Sequence, residues 1–451
     1  MNRSLFLKLG TIALLILLLM IPLLLIDGLV GERQGLRNEV LRDIARSSSY
    51  RQQITGPILV VPYRKTVRHW KTDPVSKQRY QEEATQAGRL YFLPERFSLE
   101  GDVRTELRYR GIYQARLYHS DSQISGQFQV PADYGIAQQL QDYQFDTPFI
   151  AVGISDVRGI GNDLKLRLNG ASLSFEPGSG DERFGSGVHV NLPARDSGQA
   201  QRLEFAFDLK LQGSEQLSVT PVGRESQVTL RSDWPHPSFV GEYLPSQRQV
   251  DEKGFTANWQ TSFFATDMQE ALGACVQGSC AALESRSFGV SFIDPVDQYL
   301  KADRAIKYAL LFIVLTFAVF FLFEVLKRLA VHPVQYALVG LSLALFYLLL
   351  LSLSEHLGFA IAYGLSALGC VALNTFYVSS VLRSWSRGSG FGVLLAVLYG
   401  LLYGLLGAED YALLMGSLLV FAVLGCVMVL TRKLDWYGVG RPSAADPQTH
   451  S

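Results

Sequence analysis

Six long apolar runs constrain this chain more than any other feature. A bilayer core about 30 Å thick takes roughly 20 apolar helical residues to cross. The runs are Leu9–Ile26, Tyr308–Phe323 with an extension to Leu326, Pro333–Ser354, Leu357–Leu382, Gly388–Ala408 and Tyr411–Thr431. Each ends at a charged residue or a histidine. The stretch Tyr308–Thr431 carries eight charged residues, against 41 basic and 41 acidic in the whole chain. The modest 18% charged content therefore averages two unlike materials, one fit for lipid and one fit for water. The balanced net charge gives no argument for nucleic acid, and the apolar content excludes a disordered chain.

The expected spans are 9–26, 308–326, 333–354, 357–382, 388–408 and 411–431, with tails 1–8 and 432–451. The first run is longer than the roughly 7–15 apolar residues of a secretion signal, and no A-x-A-like cleavage site follows Ile26. Its Leu and Ile residues contribute roughly −4 to −8 kcal/mol on an insertion scale, so it reads as a retained anchor. Basic residues in short loops face the cytoplasm. Lys327 and Arg328, Arg383 and Arg387, and Arg432 and Lys433 occupy every second loop. The alternate loops hold Glu355 with His356 and Glu409 with Asp410. This alternation places both chain ends in the cytoplasm and residues 27–304 outside it.

Residues 27–304 read as globular sequence. Leu36, Val40, Leu41 and Ile44 recur at helical spacing over 32–50. After Gly56-Pro57 the period becomes two. Val103, Thr105, Leu107 and Tyr109 alternate with charges, as do Leu164, Leu166 and Leu168, the run Leu203–Leu211, and Phe288, Val290 and Phe292. Such alternation describes antiparallel strands with one buried and one wet face. Turn signals at Gly159–Asn162, Pro177–Gly180, Arg195–Gly198 and Pro235–Pro237 separate them. The expected fold is an α-helical bundle of six transmembrane helices plus a large β-rich, sandwich-like extracytoplasmic domain between helices 1 and 2.

Cys275 and Cys280 flank Gly278 in that domain. A bridge there is favoured over two free thiols and suits an oxidising periplasm. Two cysteines without a further Cys or His cluster do not make a metal site. No H-E-x-x-H, phosphate-binding loop or G-x-S-x-G elbow is present, and the external histidines are scattered singly. No catalytic, cofactor or metal residue is therefore assigned. Gly178-Ser179-Gly180 and Gly185-Ser186-Gly187 read as turns, Gly388–Gly392 as a flexible helix start, and Trp234-Pro235-His236-Pro237 as a packed connection. No charge interrupts a helix centre, which counts against an ion-driven pump. Asn374, deep in a run, reads as a hydrogen-bonding partner for a neighbouring helix, and Gly400 with Gly404 as helix packing. His332, Gln335, Glu355, His356, Glu409 and Asp410 are polar residues at the membrane interfaces. Trp436 and Tyr437 resemble an interfacial anchor.

Several stretches resemble the CreD family of bacterial inner-membrane proteins. They are Gly56–Tyr63 (GPILVVPY), Lys307–Val325, His332–Tyr336 (HPVQY), Ala344–His356, Tyr399–Tyr403, Glu409–Leu414 and Leu430–Tyr437 (LTRKLDWY). The resemblance covers nearly the whole chain and is densest in the C-terminal helices. It implies a role in cell-envelope integrity, in a regulon under a two-component sensor, with colicin tolerance and altered antibiotic susceptibility. It implies no reaction. The sequence reading is a non-enzymatic inner-membrane protein that contacts membrane lipids and binds an envelope component or partner protein through its β domain. The alternative is a carrier of a lipid-like or amphipathic molecule, with the β domain as a receiving chamber.

Overall fold

The strand Gly56–Tyr63 is apolar at nearly every position, and a strand of that kind needs cover on both faces and both edges. The computed structural model, which describes residues 3–72, 74, 78–193, 198–292, 298–327, 331–407 and 412–432, gives it that cover. The chain divides into two compact units, one of Met1–Asn38 with Val296–Ser451 and one of Glu39–Pro295.

The second unit holds two sheets. In the nine-stranded sheet, β1 (Gln52–Thr72) is central. On one side it pairs in parallel with β12 (Gln216–Thr220), which continues to β17 (Phe288–Ser291) and β14 (Ser238–Gly241). On the other it pairs with β6 (Phe149–Ile154), followed by β10 (Gly187–Asn191) and β9 (Glu176–Pro177). Its outer half pairs with β2 (Arg79–Phe92) and β5 (Tyr143–Phe145). Gly56 lies at an irregularity in the β1–β6 ladder. Its φ of 116° and the Ala151 carbonyl 2.8 Å from where a Cβ would stand leave room only for glycine.

The eight-stranded sheet runs β15 (Gln247–Asp251), β16 (Gly254–Ser262), β13 (Glu225–Ser232), β3 (Arg96–Arg110), β4 (Tyr113–Val130), β11 (Gln201–Ser214), β7 (Lys165–Leu168), β8 (Ala171–Ser174). The alternation expected at Leu203–Leu211 is realised on β11. Leu203, Phe205, Phe207, Leu209 and Leu211 are buried, while Glu204, Asp208 and Lys210 are exposed. Inward residues of both sheets, among them Ile58, Val60, Ile150, Leu99, Phe128, Phe207 and Trp259, share one hydrophobic core.

The reading of β3 needs correction. Val103 is buried, but Leu107 and Tyr109 are 38% and 64% exposed. Pairing with β13 stops at Val103, so the outer part of β3 and its partner β4 run past the core as a ribbon. Part of that ribbon gains other cover. Ala115 and Leu117 of β4 pack on Ile44, Val40 and Leu41 of α1 (Arg3–Ser47). The chain leaving α1 is then pinned by polar contacts. Ser49 Oγ donates to the Gln212 carbonyl at 2.6 Å, Gln52 Nε2 to the Asp156 carbonyl at 2.9 Å, and Arg158 pairs with Asp156 at 2.6 Å. The 32–50 helix and the first apolar run are thus one element, with Pro22 inside it. Three short helices follow β16: α2 (Phe263–Thr266), α3 (Met268–Val276) and α4 (Ala281–Ser285). A Cys275–Cys280 disulfide joins the end of α3 to the start of α4. The Arg195–Gly198 turn signal lies largely outside the described residues.

The first unit is helical. It holds the start of α1, then α5 (Gln298–Lys307), α6 (Ala309–Lys327), α7 (Pro333–Leu357), α8 (Phe359–Val381), α9 (Trp385–Gly407) and α10 (Ala412–Thr431). Among the described residues four helices are long and apolar enough to cross a membrane, and a fifth span results if α5 and α6, bent by 45°, count as one. The remaining expected span falls on α10, a helix of 20 residues. Two of the three glycines at the start of α9, Gly388 and Gly392, are packing residues rather than a flexible entry, while a Cβ at Gly390 would meet nothing described within 4 Å. A Cβ at Gly388 would overlap Ser379 of α8, and one at Gly392 would overlap Thr375.

Asp181 is the most deeply placed ion pair of the β unit. Its side chain is wholly buried and accepts from Arg89 at 2.7 Å, Arg183 at 3.2 Å and Tyr91 Oη at 2.6 Å. Ser179 Oγ closes the surrounding turn on the Asp181 and Gly185 carbonyls at 2.7 and 2.8 Å. Burial alone would raise the Asp181 carboxyl, but hydrogen bonds from Tyr91 and Arg89 hold it below its ordinary value. Burial also pushes the Tyr91 phenol up to about 12. A depressed carboxyl stabilises the fold fully above its unfolded pKa of about 3.9 and loses that contribution as pH falls through the folded value. Asp181→Asn weakens charged hydrogen bonds to partly exposed arginines and is expected to cost about 1.5–3 kcal/mol at pH 7. The gap from wild type should narrow below about pH 3.9. Melting curves between pH 7 and 2 check this, and equal stability at pH 7 would contradict it.

Candidate functional site: a polar trough on the eight-stranded sheet

The wet face of the eight-stranded sheet follows from strand alternation. Ser98, Glu100 and Asp102 of β3 point away from the core that takes Phe97, Leu99 and Val103. Register then sets neighbours side by side. Gln260 of β16 lies opposite Gln227 of β13, which lies opposite Ser98 of β3, opposite Ser125 of β4, opposite Ala206 of β11. A second row runs Gln247, Asn258, Thr229, Glu100, Gln123 and Asp208. Adjacent strands lie about 4.8 Å apart, so the first row is a closely spaced line of polar groups from Gln260 to Ser125 that ends on Ala206, and the second is polar throughout.

At one end this face sinks into a trough of about 980 Å³. Its polar walls are Arg96, Ser98, Ser125, Gln127, Arg167, Asn169, Glu204, Glu225, Gln227, Gln260 and Ser262. Among the described residues the side-chain amides of Gln127, Gln227 and Gln260 take no hydrogen bond from a neighbour, so their donors and acceptors serve solvent or a ligand. Further along lies a depression of about 600 Å³ around Asp102, Arg104, Arg231 and Asp251. There both arginines are paired, Arg231 with Asp102 at 3.5 Å and Arg104 with Asp121 at 2.9 Å. The backbone of the sheet is committed to its ladders. What the face offers chemically is an array of side-chain amides, hydroxyls and balanced ions on a rigid support.

The residues singled out from sequence lie elsewhere and do not converge. His332 caps α7, accepting from the Val334 amide at 3.3 Å, while Gln335 Oε1 accepts from the His332 amide at 3.1 Å. Both are capping groups, with Pro333 at the first helical position. Asn374 donates to Ser342 Oγ of α7 at 2.7 Å and to the Cys370 carbonyl at 2.9 Å. Tyr399 of α9 donates to Cys370 Sγ at 3.1 Å, so this polar knot ties three helices together. Glu355 accepts from Tyr299 Oη at 3.2 Å and faces Arg33 at 3.7 Å, while His356 is exposed. A Cβ at Gly404 would meet Met415 at 3.9 Å, and one at Gly400 meets nothing described within 4 Å. Among the described residues, the α-helical glycines with no room for a Cβ are Gly340, Gly388 and Gly392. Glu409, Asp410, Trp436 and Tyr437 lie outside the described residues. Of the Trp234 cluster the indole is packed, with Arg116 stacked 3.8 Å over its ring, while His236 is exposed.

Sequence reasoning missed one buried charge. In the sequence Glu324 stands at the boundary of an apolar run, but α6 continues to Lys327 and Glu324 is 4% exposed. Its carboxylate accepts from Lys8 of α1, from the Val331 amide at 3.0 Å and from Tyr336 Oη of α7 at 2.8 Å. Glu324 of α6 thus joins α1 and α7, and further along the same three helices a Cβ at Gly340 would overlap Leu19 and Phe317.

Long apolar helices joined to a two-sheet β unit define a multi-span membrane protein with a large β-rich region. The chain belongs to the CreD family: the family model for inner membrane protein CreD matches residues 4–437. Inner membrane protein CreD of Escherichia coli (strain K12) is 38% identical over 443 residues, covering 98% of this chain and 96% of the relative.

The Glu324 cluster yields a direct test. Glu324→Gln removes the charge opposite Lys8, and Tyr336→Phe removes one donor. Melting in detergent is expected to fall for both, by about 2–3 kcal/mol for the first and about 1 kcal/mol for the second. Unchanged melting in both would contradict the clamp.

Proposed function

We propose that this protein is a non-enzymatic inner-membrane protein that supports cell-envelope integrity by binding an envelope component through the wet face of its eight-stranded sheet. In this reading the chain crosses the membrane six times, α10 included, with both ends in the cytoplasm and the β unit in the periplasm. The charge alternation of the loops supports that orientation. Tolerance to envelope stress, colicin and antibiotics follows as a consequence of the bound component being held. The observation that carries the proposal is the trough: about 980 Å³ on the face of a paired sheet, its wall shared between polar side chains and apolar atoms of residues such as Ala206 and Ala265.

A carrier of lipid-like molecules is less well supported. It would need an apolar chamber between the sheets. That space is filled by side chains such as Ile58, Val60, Phe128, Phe207 and Trp259, each no more than 2% exposed. The helical unit does offer an apolar groove of about 490 Å³ beside Tyr363, Gly364, Gly400 and Tyr403.

Ser98→Trp combined with Gln227→Trp fills the trough from two adjacent strands without touching the core. In a strain lacking the gene, this variant is expected to reach normal membrane levels yet fail to restore envelope-stress tolerance. Full restoration would show that the trough is not the working surface.

A further inference from the structure

The chemistry of the trough narrows what it takes. We infer that its ligand is a neutral glycan bearing both hydroxyl and amide groups; this rests on the reading of the trough as the binding surface and names the ligand class.

Charge is the first argument. Arg96 and Arg167 are balanced by Glu204 and Glu225 among the lining residues. A polyanion or a polycation would meet as much repulsion as attraction there. The remaining polar wall is dominated by Gln127, Gln227 and Gln260, with serines between them, while the Asn169 amide is taken up by the Arg202 carbonyl and the Glu204 amide of β11. A primary amide donates and accepts at once, so it is matched by a ligand that also does both at every repeat. Sugar hydroxyls and acetamido groups have that property.

The second argument excludes an extended peptide. Peptides bind sheets chiefly by adding a strand at a free edge, where main-chain groups are unpaired. The trough is on a sheet face. β13, β3, β4 and β11 beneath it are paired on both sides. Recognition here is by side chains alone, which favours a ligand carrying its polar groups on its periphery. A lipid chain is disfavoured because it would strip water from these amides without replacing their hydrogen bonds.

The third argument concerns size. The rows extend across at least five strands, from β16 to β11, about 20 Å at 4.8 Å per strand. Several sugar units fit along that line. Each contributes little alone, and a polymer gains from simultaneous contacts.

Full-length protein in detergent, titrated with the hexasaccharide of N-acetylglucosamine, tests the inference. Binding is expected with a dissociation constant of about 1 mM or tighter. The triple variant Gln127→Ala, Gln227→Ala, Gln260→Ala is expected to bind about tenfold or more weakly, with an unchanged melting temperature. Gln86→Ala on β2, away from the trough, should bind as wild type does. Equal binding by the triple variant would overturn the site. Failure of wild type to bind the hexasaccharide while binding a neutral Gly-Ser hexapeptide, or neither probe, would overturn the glycan class. Either result leaves the envelope-binding reading standing if the trough-filling variant still fails in cells. Hexasaccharide binding alongside full restoration by that variant would break the wider reading instead.

Discussion

Lipid offers no hydrogen bonds, so backbone that enters it must satisfy its own polar groups, and in a single chain of this composition only helices do so. A sheet with a wet face cannot follow them in. The outer face of the eight-stranded sheet is lined with Gln, Ser, Asn and charged residues, and burying it in hydrocarbon would cost several kcal/mol for each unpaired group. The partition into a helical unit and a β unit is therefore forced before any contact between side chains is considered. Every functional inference depends on it, because it decides which surfaces meet water.

Within the β unit one strand carries much of the organisation. Ile58, Leu59, Val60 and Val61 of β1 are all 1% exposed or less, and β1 joins the parallel and antiparallel halves of its sheet. The second sheet is built on β3 and β4, whose inward residues complete the core and whose outward residues make the trough. The two faces have different tolerances. A change at Phe128 or Phe207 disturbs packing that is close to crystalline density. A change at Gln227 or Ser98 alters only what the surface can bind. Function can thus vary on the wet face while the fold is held by the dry one.

The strands were legible wherever local alternation was enough. Leu203–Leu211 reads correctly because each apolar residue meets the opposing sheet. Leu107 and Tyr109 have the same period but lie where no opposing strand reaches, which period alone cannot reveal. The helices were legible from their length, and their glycines were not. Gly388 and Gly392 sit against Ser379 and Thr375 of α8 among the described residues, a contact that depends on which face of α9 meets α8 and that spacing alone does not reveal. Glu324 was hidden by its position at the end of an apolar run, where a carboxylate reads as a boundary. The trough was invisible in principle. Ser98, Gln127, Gln227 and Gln260 are separated by up to 162 positions in the sequence, and it takes the pairing of β16 with β13, of β13 with β3 and of β3 with β4 to bring them together. Each was legible as the polar position of its own strand, but their assembly was not.

The central claim is that this polar face is presented outside the cytoplasm while the basic loops are inside. Single cysteines at Gln227 on the trough and Arg387 at the start of α9, probed with a membrane-impermeant maleimide, measure it directly. The account predicts that Gln227→Cys reacts in intact spheroplasts to the extent seen after lysis, and that Arg387→Cys reacts only after lysis. Protection of Gln227→Cys until the membrane is broken would contradict it.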